Sequence, residues 1–254
     1  MDAAGKIAER RITDVHAHII PGLDDGAPDL EQALQMAKIA QRQGICHIIA
    51  TPHTLYEGTY IFSDSIREAM DSFQRELRNR EIPITLSAGQ EIFYFDGAVD
   101  YLKSGKFCTL ASSFYILVEF LPIISWKECY QAMRRLRQSG YWPIIAHAER
   151  YDCLRNEMHL EELKELGVYL QINFSSFAGK LWDKDIRWCR KMILDERIDF
   201  LGTDMHSAVW RSPDVRKELT WLEKKVPSSL LEKILWENPQ KILLGKRLEE
   251  EEGE

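Results

Sequence analysis

Two histidines one residue apart, in Asp14-Val15-His16-Ala17-His18, can offer two imidazole nitrogens to a single metal ion. On a strand, the period of two predicts Asp14, His16 and His18 on one face and Val15 and Ala17 on the other. Alone, such a pair is as readily two satisfied core histidines, so its weight depends on what accompanies it. Metal-competent side chains recur where other apolar runs end: His53 after IIATP, Glu91 after TLSAGQ, His147 after PIIA, and Asp204 and His206 after FLGT. Glu119 sits inside YILVEFLP, where a carboxylate is costly to bury unless a cation pairs with it. The turn Asp24-Asp25-Gly26 adds a carboxylate from one of its two aspartates. Histidine and carboxylate donors without cysteine suit a hydrolytic manganese, iron or zinc cluster rather than a closed structural zinc site, and their number implies more than one ion.

Two arginines follow these residues, Arg150 in AHAER and Arg211 in HSAVWR. A guanidinium grips phosphate oxygens with paired, planar donors, so both are candidates for holding a phosphoryl group. His47, in the middle of an apolar run, and His159, on a charged helix, read as structural or solvent-facing. Cys129 and Arg135 have the Cys-x5-Arg spacing of thiolate phosphatases. That chemistry needs a loop whose backbone N–H groups wrap the phosphate, whereas the residues between them are glycine-free helix formers. Cys129 is therefore read as a helix residue.

Donors so far apart in sequence meet only if parallel strands end at one rim. Strands are predicted over Ile12–His18, Cys46–Thr51, Ile84–Gln90, Tyr115–Phe120, Trp142–Ala146, Val168–Asn173 and Asp199–Thr203. Helices are predicted between them over Leu30–Gln43, Ser65–Arg80, Trp126–Ser139, His159–Leu166 and Lys184–Glu196. Val215–Lys225, Ser229–Leu235 and a short helix opened by Asn238-Pro239 follow the last strand. Seven strand–helix units predict an α/β barrel.

At 254 residues, 45% of them apolar and 29% charged, the chain suits one globular domain, expected over residues 12–248 with an N-terminal extension over 1–11 and a solvated acidic tail over 249–254. A formal charge of −7 argues against a nucleic-acid partner. The longest apolar run, Phe114–Trp126, is too short to cross a bilayer and carries Glu119, so no membrane insertion is expected. The polar start lacks a signal peptide's apolar core, which predicts a cytoplasmic protein. Five scattered cysteines without a CxxC pair read as reduced thiols.

The blocks DVHAHIIPGLDDG, IIATPH, AGQEI, ILVEF, IIAHAERY, LQINFSSFAG and GTDMHS, in this order and spacing, resemble the PHP (polymerase and histidinol phosphatase) superfamily, and within it the bacterial protein-tyrosine phosphatases of capsule and exopolysaccharide synthesis. The resemblance implies a distorted seven-stranded, TIM-like α/β barrel with a three-metal cluster, commonly of manganese, although iron, cobalt or zinc also suits the donors. It places ligands on His16, His18, Asp25, His53, Glu91, Glu119, His147, Asp204 and His206, preferring Asp25 to Asp24, and puts Arg150 and Arg211 on the phosphate. It further implies phosphotyrosine hydrolysis on a bacterial tyrosine kinase with a tyrosine-rich tail, and it is compatible with a homo-oligomer. Ala148 stands where the group usually has proline, and Thr54 where some relatives have histidine or an aromatic residue; neither removes a ligand.

The expected reaction is attack on phosphorus by a metal-activated hydroxide, since bound cations lower the pKa of water. Two other readings compete: a histidinol-phosphate or other small phosphomonoester phosphatase on the same fold, and a metal-binding regulatory module without catalysis. A missing ligand would favour the module, and none is missing.

Overall fold

The computed structural model describes residues 11–180 and 182–250. Residues 1–10 of the expected extension and 251–254 of the expected tail lie outside them. Within the described part of that tail, Glu249 accepts a hydrogen bond from the Tyr169 hydroxyl.

Two parallel sheets carry the architecture. The first has the order β1 (Ile12–Ala17), β2 (Ile45–Ala50), β5 (Thr85–Ala88). The second runs β10 (Phe200–Gly202), β9 (Tyr169–Asn173), β8 (Trp142–Ile145), β7 (Tyr115–Glu119), β6 (Glu91–Phe93). All pairings within both sheets are parallel, so their carboxyl ends face one way. The sheets touch at two single bridges, Ala17 with Met205 and His53 with Glu91.

Of the strand predicted over Ile84–Gln90, Thr85–Ala88 forms β5 in the first sheet, and the chain then passes directly into β6 of the second sheet, a strand not among those predicted. The division falls at Gly89 and Gln90. A Cβ at Gly89 would lie 2.8 Å from the Leu110 side chain and 2.9 Å from that of Ile49, so only glycine allows this approach. The Gln90 side chain, fully buried, donates to Ile61 O and accepts from Cys108 N–H, fixing the chain as it changes sheets. Glu91 thereby opens β6 instead of following the end of a longer strand.

Helices α1 (Leu30–Arg42), α2 (Ser63–Asn79), α4 (Trp126–Gln138), α5 (Glu157–Leu166) and α6 (Lys184–Leu194) lie close to their predicted ranges. Side-chain caps explain four of the starts: Asp29 for α1, Ser125 with Glu128 in a capping box for α4, Asn156 for α5 and Asp183 for α6. Unanticipated elements are the short α3 (Ala98–Lys103) and a hairpin of β3 (Leu55–Tyr56) and β4 (Thr59–Tyr60), turned at Gly58. After α7 (Arg216–Lys225), α8 (Ser228–Glu232) passes through a π turn over Lys233–Glu237 into α9 (Asn238–Leu244). Widening the helix ahead of Pro239 relieves the clash its ring would make with the preceding turn.

Alternate strand residues divide the core. Ile116, Val118, Ile145 and Ile172 pack with the helices, while Tyr115, Leu117, Ile144, Tyr169 and Phe200 join Val15, Ile49 and Trp142 in a second cluster. Among the described residues no helix is long and apolar enough to cross a membrane.

Candidate metal centre

The carboxyl ends of the strands, the segments that follow them and the first residue of β6 bring all nine predicted donors together. His16 lies in β1 with His18 just beyond it, Glu91 opens β6, and Glu119 closes β7. His53, His147, Asp204 and His206 lie in the segments that follow β2, β8 and β10. The carboxylate of Glu91 is the hub, with Oε2 at 3.3 Å from His16 Nε2 and at 3.2 Å from both His18 Nε2 and His53 Nδ1, and Oε1 at 2.8 Å from His147 Nε2. Glu119 lies 3.0 Å from His53 and 3.6 Å from His147. Asp25 stands 3.4 Å from both His53 and His206, and Asp204 Oδ1 is 3.5 Å from His16 and His18. Three subsets have donor atoms within 4.8 Å of one another: His18, Asp25, His53 and His206; His16, His18 and Glu91; and His53, Glu91 and Glu119.

The hydrogen bonds behind these residues fix which atoms face inward. The His147 backbone N–H donates to Gln171 Oε1 at 2.8 Å, which settles the orientation of that amide. His16 Nδ1, 3.1 Å from the same oxygen, must therefore donate, leaving a bare lone pair on Nε2. His18 Nδ1 donates to Asp24 at 2.7 Å and His206 Nδ1 to the Asp204 carbonyl at 2.9 Å, so in the neutral rings Nε2 keeps its lone pair, that of His206 accepting from Arg211. The His16 and His18 Nε2 atoms stand 3.3 Å apart. Asp204 Oδ1 is buried without a hydrogen-bond partner. Lone pairs converging with no proton to share repel one another and cost several kcal/mol of desolvation, roughly, unless a cation joins them. The residues fit bound metal ions.

Electrostatics point the same way. Burial would raise the pKa of Glu91 and Asp204, but the surrounding imidazoles, with Arg211 beside Asp204, hold both below the ordinary carboxylate range. Burial would lower the pKa of His18, yet Asp24 and Glu91 hold it well above its usual value. These carboxylates demand positive charge at the ring, and a proton and a metal ion compete to supply it.

The two arginines share an anchor. Arg150 donates to Asp204 Oδ2 at 2.9 Å, and Arg211 donates to the same oxygen and to His206 Nε2. Asn173 Nδ2 is a third donor to that oxygen at 2.7 Å. His147, Asp204 and Arg211 all have positive φ, at 35°, 51° and 50°, a cluster of backbone strain of the kind held at functional sites.

Asp14 departs from the expected arrangement. The register of β1 is irregular between Asp14 and Ala17, and the Asp14 side chain turns to the Thr203 N–H and hydroxyl, outside the donor cluster. His47 bonds Ser87, and His159 stacks on Trp126, both away from the cluster. Cys129 is a free thiol fully buried in α4, its pKa raised by a hydrogen bond with the Cys153 thiol and by burial, which disqualifies it as a nucleophile. Of the aspartate pair, Asp25 enters the cluster while Asp24 lies behind it, accepting from His18, the His53 N–H and the Gly26 N–H. A Cβ at Gly26 would overlap the His18 backbone at 2.1 Å, so glycine is needed to fold this turn onto β1. Sequence reasoning missed the positioning roles of Asp24, Gln171 and Asn173. The amides of LQIN, two residues apart in an apolar strand, were the available signal.

The family model for capsular polysaccharide synthesis proteins, CpsB/CapC, matches residues 12–244. The tyrosine-protein phosphatase YwqE of Bacillus subtilis (strain 168) is 34% identical over 238 residues, covering 92% of each chain. A crystal structure from work on YwqE of Bacillus subtilis and CpsB of Streptococcus pneumoniae, described as unique metal-dependent tyrosine phosphatases, superposes with a TM-score of 0.85 at 33% identity, covering 92% of this chain and 95% of the other. An organophosphorus hydrolase mutant from Deinococcus radiodurans shares the fold alone, with a TM-score of 0.59 at 13% identity over 91% of this chain and 92% of its own. The motifs, the donor cluster and the match along almost the whole chain agree: the protein belongs to the CpsB/CapC family of capsular polysaccharide synthesis.

Proposed function

We propose that this chain is a metal-dependent protein-tyrosine phosphatase acting in capsule or exopolysaccharide regulation. The observation that carries the reading is the convergence of bare His and carboxylate donors beside two guanidiniums on Asp204. His16, His18, Asp25, His53, Glu91, Glu119, His147, Asp204 and His206 are the residues that hold the metal. Ions bound there supply a water of lowered pKa and neutralise charge on the phosphoryl group. Three overlapping donor subsets support a count of three ions, and an oxygen- and imidazole-rich set supports manganese, with iron, cobalt or zinc as substitutes.

Arg150 and Arg211 bind the phosphoryl oxygens. Each guanidinium has five N–H donors, so a bond to Asp204 leaves others for substrate, and both side chains are partly exposed. Asp204, held by Asn173 and both arginines, aims them. A phenolate leaving group, of pKa about 10, departs with less protonation than an alkoxide needs.

We read the two sheets and the bridges between them as a distorted seven-stranded barrel, with β5 and β6 as halves of one strand. The proposed substrate is a bacterial tyrosine kinase with a tyrosine-rich tail, met in the cytoplasm, and the reading is compatible with a homo-oligomer. The deciding experiment compares turnover of a phosphotyrosine peptide and of histidinol phosphate, each with and without chelator. Chelator-sensitive preference for the peptide supports the reading; preference for histidinol phosphate selects the small-molecule alternative, and no turnover of either selects the regulatory module.

A further inference from the structure

Beyond the donors and the arginines, one side chain at the mouth is unusual. Trp210 is 68% exposed, although it precedes Arg211 and lies four residues after the buried His206. Its indole meets His206 edge-on, with ring centroids 6.3 Å apart at 81°, and the Arg211 guanidinium carbon lies 5.5 Å from the indole centroid. Two other exposed aromatic residues, Tyr60 of β4 and Phe62 after it, contrast with this. Tyr60 and Phe62 stack on Tyr101 and Phe107, whereas the ring and cation contacts of Trp210 are with the phosphate-side residues.

The turn that presents Trp210 is closely tied. The Ser207 hydroxyl accepts from the N–H groups of Val209 and Trp210, at 3.2 and 2.8 Å, and donates to Trp210 O at 2.6 Å. The His206 N–H closes the turn on Arg211 O at 3.0 Å. A large aromatic face held out to solvent by a fixed backbone has its binding entropy already reduced, a property of binding hot spots.

We propose that Trp210 packs against the aromatic ring of the substrate and so selects aryl over alkyl phosphomonoesters. This deepens the phosphatase reading and rests on it. In an aryl phosphate one oxygen separates phosphorus from the ring. With the phosphoryl group on Arg211, the ring emerges beside an indole 5.5 Å from that guanidinium. Aromatic pairs interact favourably at centroid separations of about 4.5–7 Å, so no rearrangement of the turn is needed. Trp210 touches the leaving group, not the transferred phosphoryl.

The test is inhibition of the metal-loaded enzyme by phenylphosphonate and by methylphosphonate, with p-nitrophenyl phosphate as reporter substrate. In Trp210→Ala the ratio of the two inhibition constants shifts against the phenyl compound by about three- to tenfold, the worth of one aromatic pair. The KM of a phosphotyrosine peptide rises in step, and Trp210→Phe recovers most of the ratio. An unchanged ratio in Trp210→Ala, or equal weakening of both inhibitors, overturns the proposal while leaving the phosphatase reading intact. A wild-type enzyme that hydrolyses neither p-nitrophenyl phosphate nor the peptide overturns the phosphatase reading itself.

Discussion

Replacing Asp24 with asparagine removes no donor from the cluster, yet it should disable one. Asp24 Oδ2 accepts from His18 Nδ1 at 2.7 Å and from the His53 N–H at 3.0 Å, and Oδ1 accepts from the Gly26 N–H at 3.1 Å. An amide has one oxygen for these three donors. With that oxygen toward Gly26, the NH2 group faces His18, whose Nδ1 must turn acceptor and send its proton to Nε2. That atom faces Glu91 at 3.2 Å, and a proton there occupies the lone pair a metal needs. With the amide reversed, His18 keeps its tautomer but the Gly26 N–H faces a donor, at a cost of about 1–3 kcal/mol. Either way Asp24→Asn should lose roughly 10–100-fold in metal affinity or activity, the scale for residues that orient metal-bound histidines. Chelator-competition binding and thermal unfolding separate the two branches. Asp25→Asn is the control, since the Asp25 side chain is 44% exposed and has no backbone partner among its contacts. It should weaken metal binding with little change in Tm. Wild-type metal affinity and turnover in folded Asp24→Asn would refute the orienting role.

Arg150→Ala and Arg211→Ala should each keep their metal content, since Asp204 retains Asn173 and the other arginine, yet lose roughly 2–4 kcal/mol of transition-state stabilisation on a phosphotyrosine peptide. Lysine should restore only part of it, because charge returns without the fork, and steady-state kinetics with metal analysis read both effects. Cys129→Ser should keep its turnover while chelator abolishes it; loss of activity in a folded, metal-loaded variant would revive a thiolate route. Burial pushes Asp199 up to about 7 against a hydrogen bond from the Leu170 N–H. The folded state then binds that proton more tightly than the unfolded state, so this group's contribution to stability falls as pH rises from about 4 to about 7 and levels off above. Urea unfolding should therefore show Asp199→Asn gaining on wild type across that window, and a difference that does not vary with pH would contradict the assignment.

What the sequence disclosed, and what it concealed, follows from what makes a residue conspicuous. His16, Glu91, Glu119, His147 and Asp204 stand out because a titratable group in or at the end of an apolar run has few stable fates. Gln171 and Asn173 are neutral amides that fit many strands, and their role appears only when Gln171 is found between His147 and His16. Asp24 and Asp25 are chemically identical neighbours; the close approach of Gly26 to His18 decides which one turns inward. The division at Gly89 was equally hidden, because TLSAGQEIF keeps strand-like composition throughout while packing against Leu110 and Ile49, far along the chain, forces the change of sheet. Where a cap is local and strong the helix start was legible, as at Trp126 after Ser125, whereas the Asn156 cap starts its helix at Glu157, two residues before the predicted His159.

The most direct test of the central claim is elemental analysis of fully active protein alongside its turnover number. Inward-facing Nε2 lone pairs on neutral His16 and His18, an unpartnered Asp204 Oδ1 and three overlapping donor subsets predict more than one equivalent of transition metal per chain, with turnover falling as chelator removes it. Full activity with a single equivalent, or with none, would contradict a multinuclear centre.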